Sequence, residues 1–251
     1  MIFSEFRPHI LLTPYIETYW SVCGFKEKEE FHKILPDGCV DIIFSIGENR
    51  QFGLEPILPN IVGTMTTYLE GSYSNNVNML GIRFKPTGIT AFTRIPIYEF
   101  TDQRIGLDYR ETIFDESFFA ELPEKRTTGD CIRHLDSYLI KKLNRVFTPE
   151  DQIVYAVNLI QQTNGLLPLM EVANKSCLSI RHFERKFKNA VGISPKTFSK
   201  IIKFQYTRTY LKRNKNISLF SAAIDCGYYD QSHLIKDFRV LSGNTPSDFK
   251  K

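Results

Sequence analysis

"SIRHFERKFKNAVGISP", residues 179–195, is echoed by "DQSHLIKDFRVLSGNTP", residues 230–246, at a constant offset of 51. His182 maps to His233, Phe183 to Leu234, Arg185 to Lys236, Phe187 to Phe238, Gly192 to Gly243 and Pro195 to Pro246. In the first copy Ile180, Phe183 and Phe187 recur at steps of three and four, and Leu234 and Phe238 repeat the spacing in the second. That period puts them on one buried side of a helix. Outside remain Arg181, Glu184, Arg185 and Lys188 in one copy, and Gln231, Ser232, Ile235, Lys236 and Arg239 in the other, with each histidine at the margin. Ser179 and Asp230 stand where a side-chain oxygen can cap the helix start.

The residues ahead of each copy give the helix a partner. Leu169, Ala173 and Cys177 precede the first copy at intervals of four, and Leu219, Ala223 and Gly227 precede the second. A small alanine lets two short helices cross closely, and glycine tolerates the left-handed backbone of a sharp turn. The pattern is a helix-turn-helix, found twice. The first turn is one residue shorter and has Cys177 in the glycine slot, where a left-handed backbone costs about 1 to 2 kcal/mol, so a different backbone is expected there. Between the copies the spacing predicts a long helix over residues 194–212 with Pro195 in its first turn, where a missing N–H costs nothing. Two copies joined by a long helix make a pair of modules, not a solenoid.

The chain has 251 residues, enough for two modest domains. Its net charge of +4 is unevenly spread, for residues 150–251 carry 16 Lys and Arg against 8 Asp and Glu while the rest carries 16 against 20. A basic second half points to a polyanionic partner for that half alone, with a merely solvated basic face as the plain alternative. Five scattered cysteines without a Cys-x-x-Cys pair suggest reduced thiols in a cytosolic protein. The amino terminus is not expected to be a signal peptide, and no apolar run approaches the roughly 18 to 20 residues that cross a bilayer, so no membrane partner is expected.

The first half reads as strands. Residues 15–25, 39–47 and 77–84 are rich in aromatic and β-branched side chains, and Pro36-Asp37-Gly38 and Ser74-Asn75-Asn76 look like turns between them. Short strands at this spacing predict a β-rich barrel or sandwich. "GITAFTRI" and "DESFFAEL" read as short helices that close it. A longer helix over residues 130–147 has Ile132, Leu135, Leu139, Leu143 and Val146 as its apolar stripe, available either to its own domain or to a second copy. Thr148-Pro149 ends it. The class is therefore α+β, with a β-rich unit at 1–125, a connecting helix and linker at 126–149, and an all-α unit at 150–251.

The paired helix-turn-helix units, the long helix between them and the Gly-x-Ser/Thr-Pro endings at Gly192–Pro195 and Gly243–Pro246 resemble the DNA-binding domain of AraC/XylS-type transcription regulators. Tyr228, Leu234, Lys236 and Cys177 depart from the usual Phe, Phe, Arg and Gly of that pattern. The resemblance implies a sequence-specific regulator on double-stranded DNA, cytoplasmic and on the nucleoid, with the transcription machinery as a partner. Arg181, Glu184 and Arg185 would face bases from the first helix, and Gln231, Ser232, His233 and Lys236 from the second; Ser179, Lys188 and Arg239 would meet phosphates. Arginine suits guanine O6 and N7, glutamine suits adenine, and glutamate accepts from cytosine N4. A central helix of about 18 residues, at 1.5 Å each, can hold two reading helices roughly one DNA turn apart.

The first half also resembles the cupin-like segment of a less studied branch of these regulators, which implies a small-molecule effector or a homodimer contact. No cofactor is implied. His9, His32 and His134 are far apart and no His-x-His occurs, so a metal site is not expected. Trp20, Tyr15 and Tyr19 read as core, Cys39 as a small buried hydrophobe after a hairpin turn, and Arg83 and Lys85 as solvent-facing unless an anionic ligand meets them. Two other classes compete. An enzyme with Cys39 or Cys23 as nucleophile lacks a neighbouring base in sequence, and a nonspecific DNA-coating protein does not need such varied polar residues on its reading faces.

Overall fold

The computed structural model describes residues 1–45, 54, 59–106, 113–122, 127–143 and 149–250. Alternating aromatic and β-branched residues fold the first half into strands β1 (Ile2–Phe6), β2 (Ile16–Ile34), β3 (Val40–Ser45), β4 (Pro59–Val62), β5 (Leu69–Phe84) and β6 (Arg104–Gly106). Among the described residues they form one antiparallel sheet in the order β1-β2-β5-β3-β4-β6. The longest ladder joins β2 to β5, from Ile16 opposite Phe84 to Ile34 opposite Leu69. It runs through Asn75 and Asn76, which pair with Lys26 and Phe25, so the turn expected at 74–76 is strand interior. Main-chain pairing along a long partner strand outweighs the local turn preference of Asn and Ser. The Asp37-Gly38 turn does form, with Asp37 Oδ1 accepting from Cys39 N at 2.9 Å and Gly38 at a φ of +82°.

One face of the sheet is covered by helices α1 (Glu116–Glu121) and α2 (Thr128–Leu143). Tyr19, Phe44, Ile82 and Phe84 from the strands pack there with Phe114, Phe118, Ile132, Leu135 and Leu139. The apolar stripe of α2 is thus spent on its own domain, which removes it as a contact for a second copy; Val146 lies outside the described residues. Asp136 on α2 locks this layer by accepting from Tyr19 Oη at 2.9 Å and from the main-chain N–H of His9 at 3.0 Å. "GITA" makes a 3-10 turn, residues 88–91.

The opposite face holds a smaller cluster of Trp20, Val22, Ile43, Val77 and Met79. Trp20 pairs across the ladder with Gly81, and a Cβ at Gly81 would fall inside the indole ring. The indole N–H donates to Asp41 Oδ1 at 2.8 Å. Arg83 does not face open solvent as expected: its Nε lies 3.3 Å from Asp41 Oδ1 and 3.6 Å from Asp37 Oδ2. Adjacent antiparallel strands bring Asp41 directly opposite Arg83, and two carboxylates hold a guanidinium that sequence distance hid.

After Pro149 the chain is helical: α3 (Asp151–Gln162), α4 (Leu169–Lys175), α5 (Ile180–Val191), α6 (Pro195–Arg213), α7 (Leu219–Asp225), α8 (Gln231–Ser242) and a 3-10 stub, Pro246–Lys250. Ser194 caps α6 by accepting from Thr197 N at 3.1 Å, with Pro195 in the first turn as expected.

Replacing Gly81 by Val overpacks the Trp20 site. Such overpacking costs about 1 to 3 kcal/mol, and thermal unfolding followed by the fluorescence of Trp20, the chain's one tryptophan, is expected to shift to lower temperature.

Candidate nucleic-acid interface

The two short helix pairs are built alike. Val172 and Ala173 on α4, and Ala222 and Ala223 on α7, are fully buried in one core with the apolar stripes of α5 and α8. Each first helix ends in a left-handed residue, Cys177 at φ +56° and Gly227 at φ +70°. The first turn, though one residue shorter, therefore has the same left-handed residue at the end of its first helix as the second, contrary to the expectation from its cysteine. Main-chain bonds explain it, since Leu178 N donates to Ala173 O at 3.0 Å and Tyr228 N to Ala223 O at 2.8 Å. This shared closure forces the left-handed residue, whichever side chain it has.

Helices α5 and α8 then expose what their apolar stripes leave over. Phe183 and Phe187 on α5, and Leu234 and Phe238 on α8, are fully buried. Arg181, Glu184, Arg185 and Lys188 are exposed on one helix, and Gln231, Ser232, His233, Lys236 and Arg239 on the other. The sequence-predicted residues thus form two outward faces, each on a 12-residue helix. Lys186, not singled out by sequence, is ion-paired to Glu150 at 2.5 Å and ties α5 to the start of α3. Tyr228 and Leu234, the two apolar departures from the family pattern, are core residues, and Lys203 Nζ stands 4.2 Å over the Tyr228 ring.

The helix starts differ. Asp230 caps α8, its Oδ1 accepting from His233 N at 2.8 Å. Ser179 occupies the N-cap of α5 with extended backbone (φ −65°, ψ 150°), but its hydroxyl makes no capping bond, contrary to expectation. The backbone is right for a cap while the hydroxyl accepts no N–H, so the first-turn donors of α5 remain open to an external acceptor. Tyr229 stands just before the Asp230 cap and is 86% exposed, the most exposed of the chain's large apolar side chains among the described residues. A second aromatic directly after Gly227-Tyr228 was its only sequence signal.

The far ends of α5 and α8 meet the first half of the chain. Thr64 Oγ1 donates to Val191 O at 2.6 Å and Thr101 Oγ1 to Gly192 O at 2.7 Å, at the end of α5. At the end of α8, Thr67 Oγ1 donates to Val240 O at 2.7 Å, Lys33 Nζ reaches Asn244 Oδ1 at 2.9 Å, and Tyr68 lies against Gly243. Lys188 Nζ is 5.4 Å from the Tyr98 ring centroid. The Gly-x-Ser/Thr-Pro endings are therefore docking points as well as helix stops. Beside them a polar cavity of about 530 Å³ lies between the halves, lined by Lys33, Asp37, Cys39 and Arg83 on one side and Gln205 and Arg208 on the other. Burial lowers the pKa of Arg208, opposed by Asp37. Cys39 is buried, and burial followed by the nearby Asp37, Glu17 and Asp41 carboxylates pushes its thiol well above the ordinary range.

Residues 172–251 match the family described as a helix-turn-helix domain, and residues 4–106 match a domain of unknown function, DUF6597. A helix-turn-helix-type transcriptional regulator of Haemophilus influenzae, itself uncharacterised, is 25% identical over 95 residues, 38% of this chain. The match spans 32% of that relative's length. Among solved structures, ToxT from Vibrio cholerae is 10% identical with a TM-score of 0.42, over 100% of this chain and 98% of that one. ToxT with a bound unsaturated fatty acid gives the same identity and score over 92% of this chain and 93% of that one. Likeness at that level carries no information about ligand or activity. Residues 172–251 are a helix-turn-helix domain.

Cys177→Gly removes the cost of a side chain in a left-handed turn and loses no buried side chain, because Cys177 is exposed. A net gain of about 0.5 to 1 kcal/mol is expected after the greater freedom of glycine in the unfolded chain is subtracted, read as a higher melting temperature.

Proposed function

We propose that this protein is a sequence-specific transcription regulator that reads two adjacent major-groove segments of double-stranded DNA. The observation that carries the reading is the pair of exposed, polar helix faces, α5 and α8, mounted alike on one 19-residue helix, α6. At 1.5 Å per residue that helix is about 28 Å long, close to one turn of B-DNA. Arg181, Glu184 and Arg185, and Gln231, Ser232, His233 and Lys236, are the base-reading residues. Ser179, Lys188 and Arg239 hold phosphates, which set register without reading sequence.

Residues 1–125 are the regulatory unit, joined in its core by α2 from the connecting stretch 126–149, and 150–251 bind DNA. The hydrogen bonds to the ends of both reading helices support control through docking: an effector entering the charged cavity beside Arg208 changes the seam, and with it the relative setting of the two readers. A homodimer and contact with the transcription machinery, in the cytoplasm on the nucleoid, complete the reading. An enzymatic role for Cys39 is disfavoured by its surroundings, because a buried thiol among carboxylates is held in the unreactive protonated form. Alkylation of the folded protein is expected to label exposed Cys177 early and buried Cys39 much later; rapid labelling of Cys39 would reopen the enzyme reading.

Selection of bound sequences from a random duplex pool is expected to return two short boxes about 10 base pairs apart. Arg185→Ala is expected to relax preference at one or two base pairs at a cost of about 1 to 3 kcal/mol, whereas Lys188→Ala weakens all sites and flattens the salt dependence. An equal loss on every sequence for Arg185→Ala would show that α5 does not read bases.

A further inference from the structure

The start of α8 carries an arrangement that its counterpart in α5 lacks. Asp230 Oδ1 accepts the capping N–H of His233 and also lies 2.9 Å from the Nδ1 atom of the same residue's ring. The ring of Tyr229 approaches that imidazole edge to face, with centroids 5.8 Å apart and planes at 82°. Both side chains stay open to solvent, at 61% exposure for His233 and 42% for Asp230. At the equivalent positions in the first copy stand His182 and Ser179, and Ser179 offers no carboxylate.

An ionised carboxylate only accepts, so the proton of the neutral ring must be on Nδ1. The bonds from His233, its main-chain N–H first and its ring second, hold the Asp230 carboxyl below the usual range. With Nδ1 engaged, Nε2 is the remaining polar atom of the ring, and in the neutral ring it carries a lone pair. A lone pair in the major groove is complementary to the amino hydrogens of adenine N6 or cytosine N4 and poorly matched to the acceptors of guanine.

We infer that Asp230 is a positioning residue for sequence reading, fixing the tautomer and orientation of His233 so that Nε2 selects an amino-bearing base beneath the start of the second reading helix, with Tyr229 bracing the ring. This rests on the proposed DNA-reading function. The repeated helix supplies a natural control, because Asp230→Ser gives the second unit the cap residue of the first. Serine is also a good N-cap, so the helix is retained while the imidazole loses its anchor. Asp230→Asn keeps an acceptor oxygen for both bonds.

Two measurements on the full chain test it. Nitrogen-15 spectra of the free protein are expected to show His233 as the Nδ1–H tautomer in the wild type and in Asp230→Asn, and a shift towards the Nε2–H form in Asp230→Ser. A wild-type Nε2–H form overturns the proposal whatever DNA does. In the duplex selection, Asp230→Ser and His233→Ala are expected to lose preference at the same single base pair by about 5- to 10-fold, the scale of one good hydrogen bond, while Asp230→Asn keeps it. Asp230→Ser in the His233→Ala background is expected to add nothing. If Asp230→Ser keeps a preference that His233→Ala loses, the positioning role is wrong although the DNA reading stands. If the wild type returns no motif and Arg185→Ala changes nothing, the DNA reading has failed and the base-selecting role with it.

Discussion

The structure of the second half depends on two aromatic contacts with α6. Phe187 of the first reading helix meets Phe198 at 5.5 Å between ring centroids, and Phe238 of the second meets Phe204 at 4.8 Å. All four rings are fully buried. Because α6 supplies both partners, one continuous core orients both short helices, and neither could hold its face outward alone. Burying an aromatic side chain is worth on the order of 1.5 to 3 kcal/mol, far more than the few tenths of a kcal/mol that decide the conformation of an isolated 12-residue helix. The polar residues of α5 and α8 are thus displayed as a consequence of where their phenylalanines must go.

The same constraint reaches into the first half. Once α6 fixes the two helices, their ends at Gly192 and Gly243 lie where one surface of the sheet domain can touch both, through Thr64, Thr67, Tyr68 and Thr101. Gly38 also packs directly on Phe198, and Gln205 Nε2 donates to Pro36 O at 2.9 Å, so the Asp37 turn rests on the spine of the reading domain. The first half therefore contacts the parts of the second that determine how the two readers are set. That arrangement joins the cavity between the halves to the ends of α5 and α8 through one continuous set of contacts.

Asp41, Asp37 and Arg83 show how the sheet domain concentrates charge at this seam. Asp41 is pushed above the ordinary carboxylate range by burial, which the Arg83 guanidinium opposes, and it keeps its indole bond to Trp20. Arg208, from α6, lines the same cavity as Asp37 and Arg83. Charges drawn partly out of water are costly unless they are paired; Arg83 is paired with Asp37 and Asp41 within the first half, and Asp37 also acts electrostatically on Arg208 of the second.

The sequence by itself determined the helix-turn-helix pair, because the apolar period of three and four, the small residues at the crossing and the turn residue are local requirements that recur in the same order in both copies. It also determined which residues of α5 and α8 are buried and which are exposed, since one apolar stripe on a short helix leaves no other choice. Parts of β2, β3 and β5 and the apolar stripe of α2 were legible for the same reason, while β1, β4 and β6 were not read from the sequence. What only the tertiary structure decided were pairings between distant residues. The continuation of β5 through Asn75 and Asn76 depends on β2, the partners of Arg83 on the register of β3 against β5, the left-handed backbone of Cys177 on its closure bond to Ala173, and the missing cap at Ser179 on how one hydroxyl is turned. The docking of both helix ends on one surface belongs to the same class. These outcomes are set by which groups meet across the fold, and no local pattern of residues encodes a meeting that long-range packing creates.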